Sequence, residues 1–269
     1  MSYFRRVRER ARQLDSWVCV GLDPVRERLP EHLRQREDGT LRFLIEIVEA
    51  TADVALAFKP NLGFFLAEGA DGVRALEQLR RVIPAGVPVI LDAKVGDIGS
   101  TAAAYARAAF DVWGFDAVTV SPYVGDDAVT PFTAYADKGV YVLARTSNPG
   151  AARLQDHYGL WTKVVEAASE WNENANVGLV VGATRPQQLH AVRRASPSLP
   201  FLVPGIGAQG GDLPAVLQWG PSEAGDPPVI NSSRGIIFAS SGPDFATAAR
   251  EAAVSLRDQV RALRAGRKP

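Results

Sequence analysis

The sequence predicts a single (β/α)8 barrel over residues 1–269, and three observations carry the prediction. Eight short runs rich in Val, Ile and Leu recur along the chain, continuous and not alternating, as parallel strands buried on both faces require. Helical stretches lie between them, with apolar residues three and four apart and charges elsewhere. The first run continues as VGLDPVRERLP, which lacks the Gly-rich nucleotide fingerprint expected if these units formed an open, doubly wound sheet.

The chain starts MSYFRRVRERARQLDS, where Phe4, Val7, Ala11 and Leu14 share one helical face. This predicts a helix over about residues 2–15 that covers one end of the barrel. The stretch lacks the apolar centre of a signal peptide; its arginines suggest a transit peptide, but Glu9, Asp15 and the strand that follows at once favour the helix. The predicted strands are WVCVGLDP from 17, VALAFKP from 54, VPVILDAK from 87, AVTVSPY from 117, VYVLARTS from 140, VGLVVGAT from 177, PFLVPGIG from 200 and PVINSSRG from 228. Helices are read in LRFLIEIVEATA, GVRALEQLRRVI, LWTKVVEAASEW and RPQQLHAVRRA. The final DFATAAREAAVSLRDQVRALRA places Phe245, Ala248, Ala249, Ala252, Leu256, Val260 and Leu263 on one face to close the ring, with Asp244 as its expected N-cap. PSEAGDPP, 221–228, reads as a long loop before the last strand.

Composition narrows the partners. Thirty basic and thirty acidic residues give a formal charge of zero, which removes the overall attraction expected of a nucleic-acid or acidic-membrane binder. Hydrophobic residues at 46% and charged residues at 22% allow a large core without disulfides or metal. No apolar stretch approaches the ~18 residues of a membrane span. The single cysteine, Cys19, lies in an apolar run, is read as a core residue and fits a reducing cytoplasm. His32, His157 and His190 have no partner at metal-ligand spacing and are read as solvent-facing.

In such barrels the loops after the carboxyl ends of the strands carry the chemistry. Asp23 ends the first apolar run, Lys59 the second, Asp92 and Lys94 the third, Ser147 the fifth and Arg234 the eighth. A strand period of two sets Asp92 and Lys94 on one side, and the Val95-Gly96 turn offers a way to bring Asp97 back toward them. Lys59, Asp92, Lys94 and Asp97 would then alternate in charge, so that a partly buried lysine keeps its proton and each carboxylate stays ionised. A lone D-x-K is commonly a structural ion pair; its place at a strand end is what favours chemistry. VPGIGAQGGD, 203–212, includes Gly207 among glycines that let backbone N–H groups approach an anion, and Arg234 in INSSRG can clamp a phosphate. In RTSNPGA, Ser147 and Asn148 offer a hydroxyl and an amide to a polar ring.

Taken in order, GLDP, FKPN, LDAKVGDIGST, RTSNPG, PGIGAQGGD and INSSRGII resemble orotidine 5'-phosphate decarboxylase, in its longer bacterial branch (type 2), over nearly the whole chain. The resemblance implies conversion of orotidine 5'-phosphate to uridine 5'-phosphate without metal or organic cofactor. It further implies that Asp23 holds the ribose hydroxyls, that Lys59 bonds the ribose and Asp92, and that Asp92 faces the leaving carboxylate. Lys94 would protonate the ring carbon. Asp97, Ile98 and Thr101 would enter the site of a neighbouring subunit in a homodimer. Ser147 would bind the pyrimidine, Gln209 would join ring to phosphate, and Arg234 and Gly207 would serve the phosphate. Val95 and Leu66 depart from that branch, which usually has Arg and an acidic residue there, and bear on packing and the dimer contact. A magnesium-dependent sugar-phosphate decarboxylase or aldolase-type relative would need a further acidic ligand at a strand end. A non-catalytic nucleotide-binding barrel would be expected to have lost one of the four charged residues.

Overall fold

Eight apolar segments form strands: β1 (Val18–Leu22), β2 (Ala57–Pro60), β3 (Ile90–Val95), β4 (Ala117–Val120), β5 (Gly139–Arg145), β6 (Val177–Val181), β7 (Phe201–Pro204) and β8 (Val229–Ser232). The computed structural model describes residues 1–207 and 210–266. All neighbouring strands in it run parallel, in the order β2-β1-β8-β7-β6-β5-β4-β3. Bridges between Phe58 and Val89 and between Asn61 and Asp92 join the two ends of that order and bring the sheet round to a barrel. The predicted (β/α)8 architecture is thus present.

Outward-facing residues of the strands, such as Val18, Val20, Val118, Val140 and Val142, merge with apolar helix faces into the main core. Those faces belong to helices including Gly39–Thr51, Gly69–Val82, Leu160–Glu170 and Pro186–Ala195. The last helix, Phe245–Ala265, buries Phe245, Ala249, Ala253, Leu256 and Val260, while Leu263 is exposed. Asp244 stands at its N-cap but makes no side-chain cap; its carboxylate accepts instead from Ser240 Oγ at 2.6 Å. The nearby hydroxyl competes for the oxygen that the helix N–H groups would have used. The 221–228 loop is pinned, with Arg8 and Ser222 both donating to the buried carboxylate of Asp226.

A second core fills one end of the barrel. The helix α1 (Tyr3–Leu14) inserts Tyr3, Phe4, Val7 and Ala11 among residues of the strands, including Cys19, Ala57, Ile90, Ala117 and Tyr141. Tyr3, Phe4 and Tyr141 meet edge to face, with centroids 5.1 to 5.9 Å apart. Burial pushes the Cys19 thiol up to about 12, consistent with an inert packing residue. α1 thus stops the amino-terminal mouth of the barrel, and the charged residues of the strand ends lie at the carboxyl-terminal mouth.

Candidate active site

Lys59 near the end of β2 and Asp92 in β3 are carried inward by adjacent strands, and both are buried. Lys59 Nζ donates to Asp92 Oδ2 at 2.6 Å, and Lys94 Nζ donates to Asp92 Oδ1 at 2.5 Å. The two ammonium groups differ in access: the Lys59 side chain is 3% exposed and that of Lys94 44%. Burial alone would raise the pKa of Asp92, but the charges of Lys59 and Lys94 outweigh it and hold the carboxyl well below its ordinary range. For Lys59, burial pulls downward, yet Asp92 and Asp23 prevail and its pKa is raised. The buried pair is therefore ionised on both sides.

Lys94 does not reach Asp92 by a regular strand. Its φ is +48°, in the left-handed region, and the β3–β4 register shifts between Leu91 and Val95. Such a backbone costs a non-glycine residue about 1–2 kcal/mol, so the neighbourhood must hold it there. Thr119 of β4 does so in part: its Oγ1 accepts from Lys94 N at 3.0 Å and donates to Asp92 Oδ1 at 2.9 Å. Sequence reasoning missed Thr119. Its signal is a lone hydroxyl in the apolar run AVTV, two positions after Ala117 and on the same face.

Above this cluster opens a cavity of about 420 Å3. Asp23, Lys59, Asn61, Asp92 and Lys94 line one part of it, and Leu143, Val180 and Leu202 supply an apolar wall. Ser147 and Asn148 line it beside Thr146 and Gln155, and Arg234 lines it from the start of the short helix Arg234–Ile237 after β8. Asp23 Oδ1 and Asn231 Oδ1 are buried here without a hydrogen-bond partner. Each orphaned acceptor costs about 1–3 kcal/mol, a deficit that a ligand's hydroxyl or N–H donor would remove.

The loop after β5 is braced from below. Arg145, almost wholly buried, holds Asp156 through two hydrogen bonds of 2.7 and 2.9 Å, and Gln155 Oε1 accepts from Thr146 N at 2.9 Å. Asn61, which caps the helix Leu62–Leu66, and Gln155, which ends the helix Ala151–Gln155, were also missed, because a single amide carries no periodic signal. After β7, Gly205 and Gly207 have φ of +104° and +90°, which glycine adopts without strain. Gly207 is exposed and does not line the cavity, and Gln209 lies outside the described residues.

Asp97, Ile98 and Thr101 do not line this cavity. The turn at Val95-Gly96 does not fold Asp97 back onto Lys94; its Oδ1 accepts from Ile98 N at 2.7 Å, just before the helix Gly99–Arg107. Ile98 is 57% exposed. His32 and His157 are exposed as expected, whereas His190 is half-buried and stacks on Trp219 at 3.9 Å, because the imidazole offers a flat face to the indole. Among the described residues, no group of three His, Cys, Asp or Glu side chains is placed to hold a metal ion, and no helix is long and apolar enough to cross a membrane.

Comparison with known proteins agrees with this geometry. An orotidine 5'-phosphate decarboxylase of Thermomicrobium roseum (strain ATCC 27502 / DSM 5159 / P-2) is 48% identical over 98% of this chain and 96% of its own. The structure of Leishmania donovani OMP decarboxylase is 42% identical, covers 99% of this chain and 100% of that one, and superposes with a TM-score of 0.85. The structure of Leishmania donovani UMP synthase is 43% identical with a TM-score of 0.88; all of this chain spans 58% of that longer one. The model of the orotidine 5'-phosphate decarboxylase / HUMPS family matches residues 16–252. That match takes in every strand from β1 to β8, and the chain therefore belongs to the orotidine 5'-phosphate decarboxylase / HUMPS family.

Proposed function

We propose that this chain decarboxylates orotidine 5'-phosphate to uridine 5'-phosphate, without metal or organic cofactor, as a homodimer with composite sites. One observation carries the reading: a buried, ionised Asp92 held by two ammonium groups, of which only that of Lys94 is substantially exposed. The carbon–carboxylate bond breaks heterolytically and leaves its electron pair on the pyrimidine carbon. The Lys94 ammonium stabilises that charge, gives its proton to the carbon, and recovers one from solvent. Lys59 keeps Asp92 ionised while Asp92 sits beside the departing carboxylate, raising the ground state and orienting Lys94.

The remaining residues bind and orient. Asp23, with its orphaned oxygen, accepts from the ribose hydroxyls, and Lys59 adds a donor to the ribose. Ser147 reads the pyrimidine; Gly207, Gln209 and Arg234 take the phosphate. Energy gained at the phosphate is used to hold the ring against Lys94. Asp97, Ile98 and Thr101 reach the site of the partner subunit, which accords with their absence from the lining of their own cavity and with the exposure of Ile98.

The test is the fall in orotidine 5'-phosphate absorbance on adding purified protein with a chelator present. Sustained turnover is expected. Loss of turnover with chelator, restored by magnesium, would overturn the cofactor-free reading, and no turnover with or without magnesium would overturn the substrate and favour the sugar-phosphate alternative.

A further inference from the structure

We infer that Thr119 is a positioning residue for Lys94, holding the lysine in the left-handed backbone that delivers its ammonium to the reaction centre; this rests on the decarboxylase reading above. The observation is a junction of three hydrogen bonds. Thr119 Oγ1 accepts from Lys94 N at 3.0 Å, donates to Asp92 Oδ1 at 2.9 Å, and that same oxygen accepts from Lys94 Nζ. Lys94 is thus tied at both ends, directly through its backbone and indirectly through the carboxylate it shares with Thr119.

The backbone explains why a hydroxyl is needed there. Between Leu91 and Val95 the β3–β4 register shifts, and Lys94 turns to a φ of +48°. Its N–H finds its acceptor in the Thr119 side chain, where a regular ladder would offer a carbonyl. Remove the hydroxyl, and the N–H loses its partner while the strained φ loses its compensation. An extended φ would then re-aim Lys94. Thr119 is 1% exposed, and its register partner on β5, Tyr141, has its hydroxyl 3.4 Å from that of Tyr3 in the α1 core, so it is engaged away from Lys94 and does not replace the lost oxygen.

Thr119→Val keeps the volume and deletes the oxygen; Thr119→Ser keeps the oxygen. For Thr119→Val, kcat is expected to fall by about 10- to 100-fold with KM nearly unchanged, since the hydrogen bonds lost serve the lysine and not the bound nucleotide. Affinity for uridine 5'-phosphate, measured calorimetrically, is expected to stay at the wild-type value, and Thr119→Ser to restore most of kcat. A Thr119→Val enzyme with wild-type kcat, a loss confined to KM, or a serine variant as impaired as the valine one would overturn the proposal. If the valine protein does not fold, Thr119→Ala replaces it in the comparison with serine. A crystal structure of the folded variant gives a readout independent of turnover: Lys94 is expected to leave the left-handed region, and a retained φ near +50° refutes the role. Wild-type protein inactive on orotidine 5'-phosphate would sink the decarboxylase reading alone, leaving that structural comparison in force.

Discussion

In the proposed mechanism Lys94, held in a left-handed backbone, is the proton donor, so its loss should separate catalysis from binding. Lys94→Ala is expected to cut turnover by at least about a thousandfold, the upper range for a positioned proton donor, while uridine 5'-phosphate still binds by calorimetry. Arg234→Ala acts from a distance: kcat/KM should drop by about 100-fold or more, as for the loss of a charge-assisted phosphate clamp, and steady-state assays would reveal it. The Lys59–Asp92 pair sets the pH response. Asp92, with a depressed pKa, contributes stability that is complete above the ordinary aspartate range near ~3.9 and is lost as pH falls through its lowered value. Lys59, with a raised pKa, contributes stability that is complete below ~10.4 and is lost as pH rises through its raised value. Urea titrations of wild type and a Lys59→Met, Asp92→Asn double variant should therefore differ by a constant amount between about pH 5 and pH 9, narrowing beyond either end. The charged members of this site were legible because each interrupts an apolar run. Thr119 was not, since a threonine has ordinary strand propensity and its role depends on a register shift that spacing alone does not reveal.

At the scale of elements, α1 is the part whose removal is easiest to interpret. Phe4 packs edge to face with Tyr3 and Tyr141 inside the barrel mouth. Phe4→Ala is expected to cost about 3–5 kcal/mol, read as a shift of the urea midpoint with an unchanged slope. The strands were readable because burial on both faces leaves a continuous apolar signature, and α1 because its apolar stripe is flanked by charge. The helix Gly99–Arg107, which runs on into a π-turn over Ala108–Val112, carried a weaker signal: GSTAAAYAR is rich in alanine and buries only Ala102 and Ala106. The Asp244 cap failed for a similar reason, because sequence places the residue correctly but does not say which donor its oxygen will prefer.

For the whole molecule, the composite-site proposal makes a quantitative demand. Lys94→Ala and Asp97→Asn proteins, each nearly inactive alone, should regain about a quarter of wild-type activity when unfolded together and reassembled, because random pairing makes half the dimers mixed and each mixed dimer has one intact site. No recovery, with mixed dimers demonstrated, would place Asp97 in its own chain's site or in none. Leu66 and Ile98, both large, apolar and exposed, fit a surface covered in such a dimer, and Val95, half-buried against the main core, is accommodated as packing. The architecture was legible from the rhythm of runs alone, whereas the dimer was implied only by resemblance, since one chain's periodicity records its own interior.

The order of the strands also dictates when this protein can become itself. β1 lies between β2 and β8, and Val18 pairs with Ile230. As the chain leaves the ribosome, β1 and β2 emerge early, yet one flank of β1 must wait for a partner encoded more than two hundred positions later. Until then a row of backbone donors and acceptors stays bare along the strand that leads into Asp23, a sticky margin in the nascent polypeptide. Completion of β8 seals that margin and, in the same event, brings Arg234 within the rim that already holds Lys59 and Lys94.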